Sequence, residues 1–195
     1  EYGGECISLP SDLSHLEGIE SLVTELSNKE SHLDILVNNA GAAWGASLDE
    51  YPEKGWDKVM DTNVKGVFFL TQKLLPLLRE GANSVPSRVV NIGSVDGLTA
   101  GAFENYAYGP SKAALHHLTR ILAANLIKEK IIVNAIAPGP FPTWMLSTGV
   151  GFGGETDVDW TVVGEGNPSG RVGDMEDIAG LAIFLCSRAS EYTVG

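Results

Sequence analysis

Four short apolar runs, each separated from the next by residues at helical spacing, constrain this chain more than any other feature. The runs are Cys6–Leu9, Asp34–Val37, Arg88–Ile92 and Ile131–Ile136. After the first, Leu16, Ile19, Leu22, Val23 and Leu26 recur with the period of a helix, and Asn28 closes it. A long helix carrying Trp56, Val59, Met60, Asn63, Val67, Leu70, Leu74 and Leu78 follows the second. Pro110–Glu129 places Leu115, Leu118, Leu122 and Leu126 on one face, and Asp174–Cys186 turns Ile178, Leu181 and Leu185 inward. Strands that are apolar throughout and joined by helices require a parallel sheet covered on both sides. The expected fold is α/β: a Rossmann-like doubly wound parallel sheet in three layers. In such a sheet ligands sit beyond the carboxyl ends of the strands. The polar clusters Asp12, Asn38–Gly41, Ser94 and Pro138–Thr143 all fall at those ends.

Composition bounds the function. The chain has 195 residues, 44% hydrophobic and 19% charged, which fits one globular domain over 1–195. Its longest apolar runs, Val67–Leu70 and Ile131–Pro138, are far short of the ~18 residues of a membrane span. A net charge of −12 with 13 dispersed basic residues argues against nucleic acid. Cys6 and Cys186 form no metal-ligand spacing, so no metal is expected. They read as free thiols of a reducing cytoplasm. The start at Glu1 and the stop at Gly195 without polar tapering read as two cut ends.

Residues 146–167 break the alternation. Thr148–Gly154 holds four glycines, too many for a stable helix, and Asp157–Gly166 reads as irregular. A long loop inside a compact domain is functional or disordered. Beside a ligand site it reads as a substrate lid.

One tyrosine of five, Tyr108, has a lysine four residues on, Lys112. On a helix these share a face. A phenol with a pKa of ~10 is a poor acid at neutral pH, and a neighbouring cation lowers that value. The pair is thus a recipe for a general acid that protonates a carbonyl oxygen. It is equally what a solvated lysine beside a half-buried tyrosine looks like. Ser94, at the end of a buried run, either meets the phenol over the same oxygen or caps a turn.

Asn38-Asn39-Ala40-Gly41, Asn63, Asn91-Ile92-Gly93-Ser94, Tyr108-Gly109-Pro110-Ser111-Lys112 and Pro138-Gly139 occur in an order that resembles the short-chain dehydrogenase/reductase family. The resemblance covers essentially the whole chain. It implies that Tyr108 is the acid–base residue and that Ser94 holds the substrate oxygen. It implies that Lys112 lowers the phenol's pKa and bonds the nicotinamide ribose, and that Asn63 anchors a water behind Lys112. Asn63 also reads as a satisfied polar group at a helix kink. Asn39, Ala40 and Gly41 resemble the rest for the adenine ribose, where small residues let the backbone come close. Asn38 reads as a tie between strands. Asp12, with Leu13 beside it, stands where the family's acidic residue meets the adenine; it could also cap the helix over Ser14–Asn28. Pro138, Gly139 and Thr143, with Ile136, resemble the segment around the nicotinamide carboxamide. Arg171 and Gly173, before Asp174–Asp177, resemble a structural signature.

The family opens on a strand, a Thr-Gly-x-x-x-Gly-x-Gly turn and a helix whose N-terminus holds the pyrophosphate. Gly3-Gly4 is no substitute, and the expectation is that the first βα units, about 50–60 residues, and the last strand lie outside this chain. The residues that separate NADP from NAD fall in that segment.

Leu33–Gly45, Trp56–Asn63, Asn91–Val95 and Tyr106–Leu118 resemble 3-oxoacyl-acyl-carrier-protein reductases, above all the rhamnolipid-associated branch. That likeness implies reduction of a 3-oxoacyl group with NADPH rather than NADH. Phe141, Trp144, Met145, Phe152 and Trp160 would line an acyl pocket or serve ordinary packing. Sugars, polyols and steroid-like ketones fit the same mechanism. Acyl carrier protein is acidic, so docking it would need a basic patch, for which Arg88, Arg120, Lys128 and Lys130 are the candidates, with Glu129 among them. Phe68, Phe69, Leu75, Ile121 and Ile127 exceed a single helical stripe, which predicts a homodimer or homotetramer. The competing class is a nucleotide-binding scaffold without turnover.

Overall fold

The computed structural model describes residues 3–83, 85–100, 104–147 and 158–195. In chain order the elements are α1 (Leu16–Lys29), β1 (Ile35–Asn38), α2 (Glu53–Met60), α3 (Val67–Gly81), β2 (Ser87–Ile92), α4 (Tyr108–Leu126), β3 (Ile131–Ile136), α5 (Trp144–Ser147), α6 (Trp160–Glu165) and α7 (Met175–Cys186). The three strands form one parallel sheet in the order β1-β2-β3.

Register decides which residues meet. Leu36 stands opposite Val89, and Val89 opposite Val133. This row faces Ile19 of α1, Leu70, Leu74 and Leu78 of α3, and Ala123 and Leu126 of α4. On the other face Val90 and Ile136 meet Leu185 of α7. Helices on both faces make the expected doubly wound arrangement. A buried Val or Leu side chain contributes about 1.5–3 kcal/mol, and these rows supply most of what holds the layers together.

Several expectations need correction. Cys6–Leu9 forms no ladder, and Ile7 is 47% exposed. A strand needs a partner, and among the described residues β1–β3 pair only with one another, so no strand meets this run. Leu181 is 44% exposed, because α7 rests on the sheet along Ile178, Ala182, Leu185 and Cys186. Ile35 and Val37 are exposed too, since α7 lies over β2 and β3 rather than β1. Within the stretch read as irregular, Trp160–Glu165 is helical: the Asp159 carboxylate caps it by accepting from Thr161 and Val162 N–H. Of the expected lid, residues 148–157, including Phe152, lie outside the described residues. No described helix is long and apolar enough to cross a membrane.

Candidate active site

The long helix is α2 and α3 joined without a break by a π-helical turn, Asp61–Gly66. Such turns widen the backbone and turn side chains out of the regular helical order. Here the turn buries Asn63 completely. Its Oδ1 accepts from Ala42 N–H at 2.8 Å, and its Nδ2 donates to Ala42 C=O and to Ser111 Oγ, both at 2.9 Å. Both ends of the side-chain amide are thereby engaged, fixing the segment that contains Asn39, Ala40 and Gly41. Ser111 in turn donates to the Tyr108 carbonyl at 2.7 Å, tying that segment to the first turn of α4.

Tyr108 opens α4 and Lys112 follows one turn later, with the ammonium 5.5 Å from the centre of the phenol ring. Lys112 is only 4% exposed and donates to the Ile92 carbonyl at 2.8 Å. Burial holds its pKa down to about 8. The Tyr108 phenol is pushed above its ordinary value, chiefly by burial, with a bond from Ser94 pulling the other way and the Asp96 carboxylate adding a little. The sequence predicts the opposite direction. The reason for the difference is that both groups are desolvated, while the ammonium turns to a backbone carbonyl rather than to the phenol.

Ser94 lies just past β2, where pairing with β3 continues: Gly93 N–H donates to Ile136 C=O at 2.7 Å and Val95 N–H to Pro138 C=O at 3.1 Å. The second bond sets Pro138 and Gly139 beside Ser94. Phe141 is pressed onto Gly173, where a β-carbon would fall 2.4 Å from the ring, and Gly173 N–H donates to Pro140 C=O at 3.0 Å. Phe141 is therefore a packing residue. Thr143 lies farther on, exposed, and its carbonyl accepts from Leu146 and Ser147 at the start of α5. Arg171 forks onto Asp177 at 2.6 and 2.8 Å, a structural clamp on the start of α7.

A second cluster borders the first. Leu13, Asn39, Ala40, Thr62 and Gly66 line one cleft. Asp12 does not cap α1, whose N-cap is His15; its Oδ1 accepts instead from Ser14 N–H and Oγ at 2.9 and 2.6 Å, which lowers its pKa. Two glycines admit this stretch. A β-carbon on Gly18 would lie 2.0 Å from the Asp12 carbonyl oxygen, and one on Gly66 2.4 Å from that of Leu13. Asn38 ties the layers: its Nδ2 donates to Asn91 Oδ1 at 2.8 Å and Thr71 Oγ1 at 3.2 Å, and Asn91 donates to Thr119 Oγ1 at 2.8 Å.

Tyr108, Lys112, Ser94, Asn63, Gly41 and Pro138 thus converge beyond the carboxyl ends of β1–β3, with Leu13, Asn39 and Ala40 bordering them. Sequence reasoning missed His116, buried on the Lys112 face of α4 with Nε2 3.0 Å from the Ser94 carbonyl oxygen. Its spacing, four residues beyond Lys112, was the available signal. Also missed were Gly18 and Gly66, whose purpose is visible only from what packs against them.

The donor set suits a nicotinamide dinucleotide. Gly41 presents bare backbone beside Lys112, since a β-carbon there would come within 3.7 Å of Nζ. Lys112 carries three N–H donors, one of which goes to Ile92. Comparison with known proteins agrees. A family model described as enoyl-(acyl carrier protein) reductase matches residues 1–195. The rhamnolipids biosynthesis 3-oxoacyl-[acyl-carrier-protein] reductase of Pseudomonas aeruginosa is 48% identical over 193 residues, 98% of this chain and 74% of that protein. A 2-dehydro-3-deoxy-D-gluconate 5-dehydrogenase of Dickeya dadantii is 34% identical, over 99% of this chain and 74% of its own. Among solved structures, the Pseudomonas aeruginosa RhlG/NADP active-site complex superposes with a TM-score of 0.89 at 46% identity, covering 98% of this chain and 73% of that one. The chain belongs to the short-chain dehydrogenase/reductase family of NAD(P)-dependent oxidoreductases.

Proposed function

We propose that this chain reduces the ketone of a 3-oxoacyl thioester to the alcohol, with NADPH as reductant. The observation that carries the reading is the convergence of Tyr108, Ser94 and Lys112 at one buried spot, the phenol kept protonated by burial. A bound nicotinamide cofactor supplies the hydride. Ser94 donates to the ketone oxygen, and Tyr108 delivers a proton to that oxygen as negative charge develops on it. Lys112, close to its own titration at neutral pH, stabilises the phenolate left behind and holds the ribose hydroxyls. Asn63 would anchor a water behind Lys112 through the remaining acceptor position of Oδ1 or the backbone of its π turn, since Nδ2 is already committed to Ala42 and Ser111. Asp12 and Leu13 would flank the adenine, Asn39, Ala40 and Gly41 the ribose, and Pro138, Gly139 and Thr143 the nicotinamide end.

The acyl substrate is supported by the 48% identical relative and by the exposed apolar side chains Trp144 and Met145 on α5, at the start of the segment proposed as a lid, and Val162 on α6 within it. A sugar-acid ketone is the second reading, favoured by the 34% identical dehydrogenase. An acyl carrier protein would meet Arg120, Lys128 and Lys130. Arg88 is not available to it, being 4% exposed and bonded to the Pro86 and Ser187 carbonyls. Glu129 is paired with Arg79 and interferes less than the sequence implies. Exposed Phe68, Ile121 and Ile127 on and beyond α3 and α4 support assembly into two or four copies.

The test is oxidation of NADPH and of NADH by the full-length protein with a 3-oxoacyl thioester and with a sugar-acid ketone. Tyr108→Phe should lower kcat by about 10²–10⁴-fold. NADPH binding without turnover of any ketone would instead favour a non-catalytic nucleotide-binding protein.

A further inference from the structure

We propose that His116 is a positioning residue for Ser94, holding its peptide so that the hydroxyl faces the substrate oxygen; this rests on the reductase reading above. His116 is 8% exposed, and its ring lies against Gly93, which precedes Ser94, and Gly97, three residues after it. A β-carbon on Gly93 would come 2.3 Å from Cε1, and one on Gly97 2.7 Å from Cδ2. The ring therefore fits only because both positions lack a side chain. Nε2 faces both polar groups of Ser94, at 3.0 Å from the carbonyl oxygen and 3.4 Å from the amide nitrogen. Whichever ring nitrogen carries the proton, Nε2 holds the Ser94 backbone, as donor to its carbonyl oxygen in the peptide that follows or as acceptor from its N–H in the peptide that precedes.

The spacing is matched to this task. Four residues of helix rise about 6 Å and two residues of strand about 6.6 Å. α4 can thus place side chains four apart on carbonyls two apart: Lys112 on Ile92 at 2.8 Å and His116 on Ser94 at 3.0 Å. The intervening and following amides are taken by β3, Gly93 by Ile136 and Val95 by Pro138. Ser94 is extended, with φ −168° and ψ 155°, and its Oγ accepts from Asp96 N–H at 3.2 Å. That bond aims the hydroxyl, and His116 fixes the peptide from which it is aimed. Without His116 the Ser94 carbonyl keeps only the bond from Gly97 N–H at 3.1 Å, and the side of Ser94 that faces α4 loses its polar contact and its packing.

The experiment compares His116→Leu and His116→Gln in the full-length protein, with Tyr108→Phe beside them, measuring kcat, the KM for each substrate, NADPH binding and the melting temperature. His116→Leu should lower kcat about 10–50-fold, with NADPH binding changed less than about twofold. His116→Gln, which can set an amide nitrogen near the place of Nε2, should recover most of that loss. Equal losses in both variants, a kcat unchanged by Leu, or losses that merely track melting and cofactor binding would overturn the proposal. Should the Leu variant fail to fold, Gln against Asn makes the same comparison, because Asn is too short to reach Ser94. Turnover that survives in Tyr108→Phe would sink the reductase reading itself. Turnover lost there but kept in His116→Leu would sink this inference alone.

Discussion

Asn63 holds Ala42 by both of that residue's backbone polar groups, as a neighbouring strand would, with its amide at 2.8 and 2.9 Å. Because Ala42 is 9% exposed and Asn63 is fully buried, water cannot replace these bonds. Asn63→Ala should cost about 2–4 kcal/mol, leaving the Ala42 N–H and C=O and the Ser111 hydroxyl short of partners. It should also loosen Asn39–Gly41 and weaken NADPH binding. Thermal melting and nucleotide titration together check this, and a variant that melts normally yet binds poorly would contradict the mechanical account.

Gly41 and Gly66 should respond differently to the same change. At Gly41 a β-carbon meets Asn63 Oδ1 at 3.5 Å and Lys112 Nζ at 3.7 Å, both ordinary contacts. Gly41→Ala should therefore leave melting nearly unchanged while narrowing the approach to the ammonium, so cofactor affinity falls severalfold. At Gly66 the carbonyl of Leu13 would stand 2.4 Å away, and Asp61 O 3.1 Å. Gly66→Ala must push the Asp12–Leu13 backbone aside, at a cost of about 1–3 kcal/mol. Melting of the two variants separates the cases: equal destabilisation would mean that the close approach at Gly66 is not what fixes Leu13.

The buried polar chain from Thr71 through Asn38 and Asn91 to Thr119 joins α3, β1, β2 and α4. Asn91→Ala removes the acceptor for Asn38 and the donor to Thr119 at once. The expected loss is about 2–4 kcal/mol of stability, with the KM for NADPH altered less, because Asn91 is fully buried and reaches the cleft lined by Leu13, Asn39 and Ala40 only through Asn38. Denaturant unfolding measures the first quantity and steady-state kinetics the second.

What could be read from the sequence follows the range of the interactions involved. Strands β1, β2 and β3 and helix α4 announce themselves because their periods are local and strong, and the pairing of Tyr108 with Lys112 needs only one helical turn. Cys6–Leu9 has the composition of a strand, but strand formation depends on a partner, which composition does not contain. The π turn around Asn63 and the roles of Gly18, Gly66, Gly93 and Gly97 depend on atoms distant in sequence, so glycine identity alone could not reveal them. Direction of a pKa shift is the hardest. Proximity of Lys112 to Tyr108 was legible, but the burial that outweighs it belongs to the assembled core.

Lys112 gives the sharpest pH signature. Its pKa is about 8 in the folded chain against 10.5 for a free lysine. Below about pH 8 both folded and unfolded chains carry the proton, and the folded state bears the full cost of a buried ammonium. Between about pH 8 and 10.5 the folded chain releases the proton while the unfolded chain keeps it. The unfolded state then binds more protons, so stability rises with pH over that window, by roughly 3 kcal/mol in all. Tyr108, with its raised value, acts in the other direction and only above about pH 10, as the unfolded chain's tyrosine begins to ionise. Between pH 8 and 10 the Cys186 thiol, raised by burial, pulls the other way, so it is the difference in denaturant unfolding between the parent and a Lys112 variant that isolates the lysine. Lys112→Met should be more stable than the parent at pH 7 and should lose the rise, while binding NADPH more weakly. A parent whose stability relative to that variant stays flat or falls from pH 8 to 10 would place the ammonium in a better solvated setting than its 4% exposure and Ile92 bond describe.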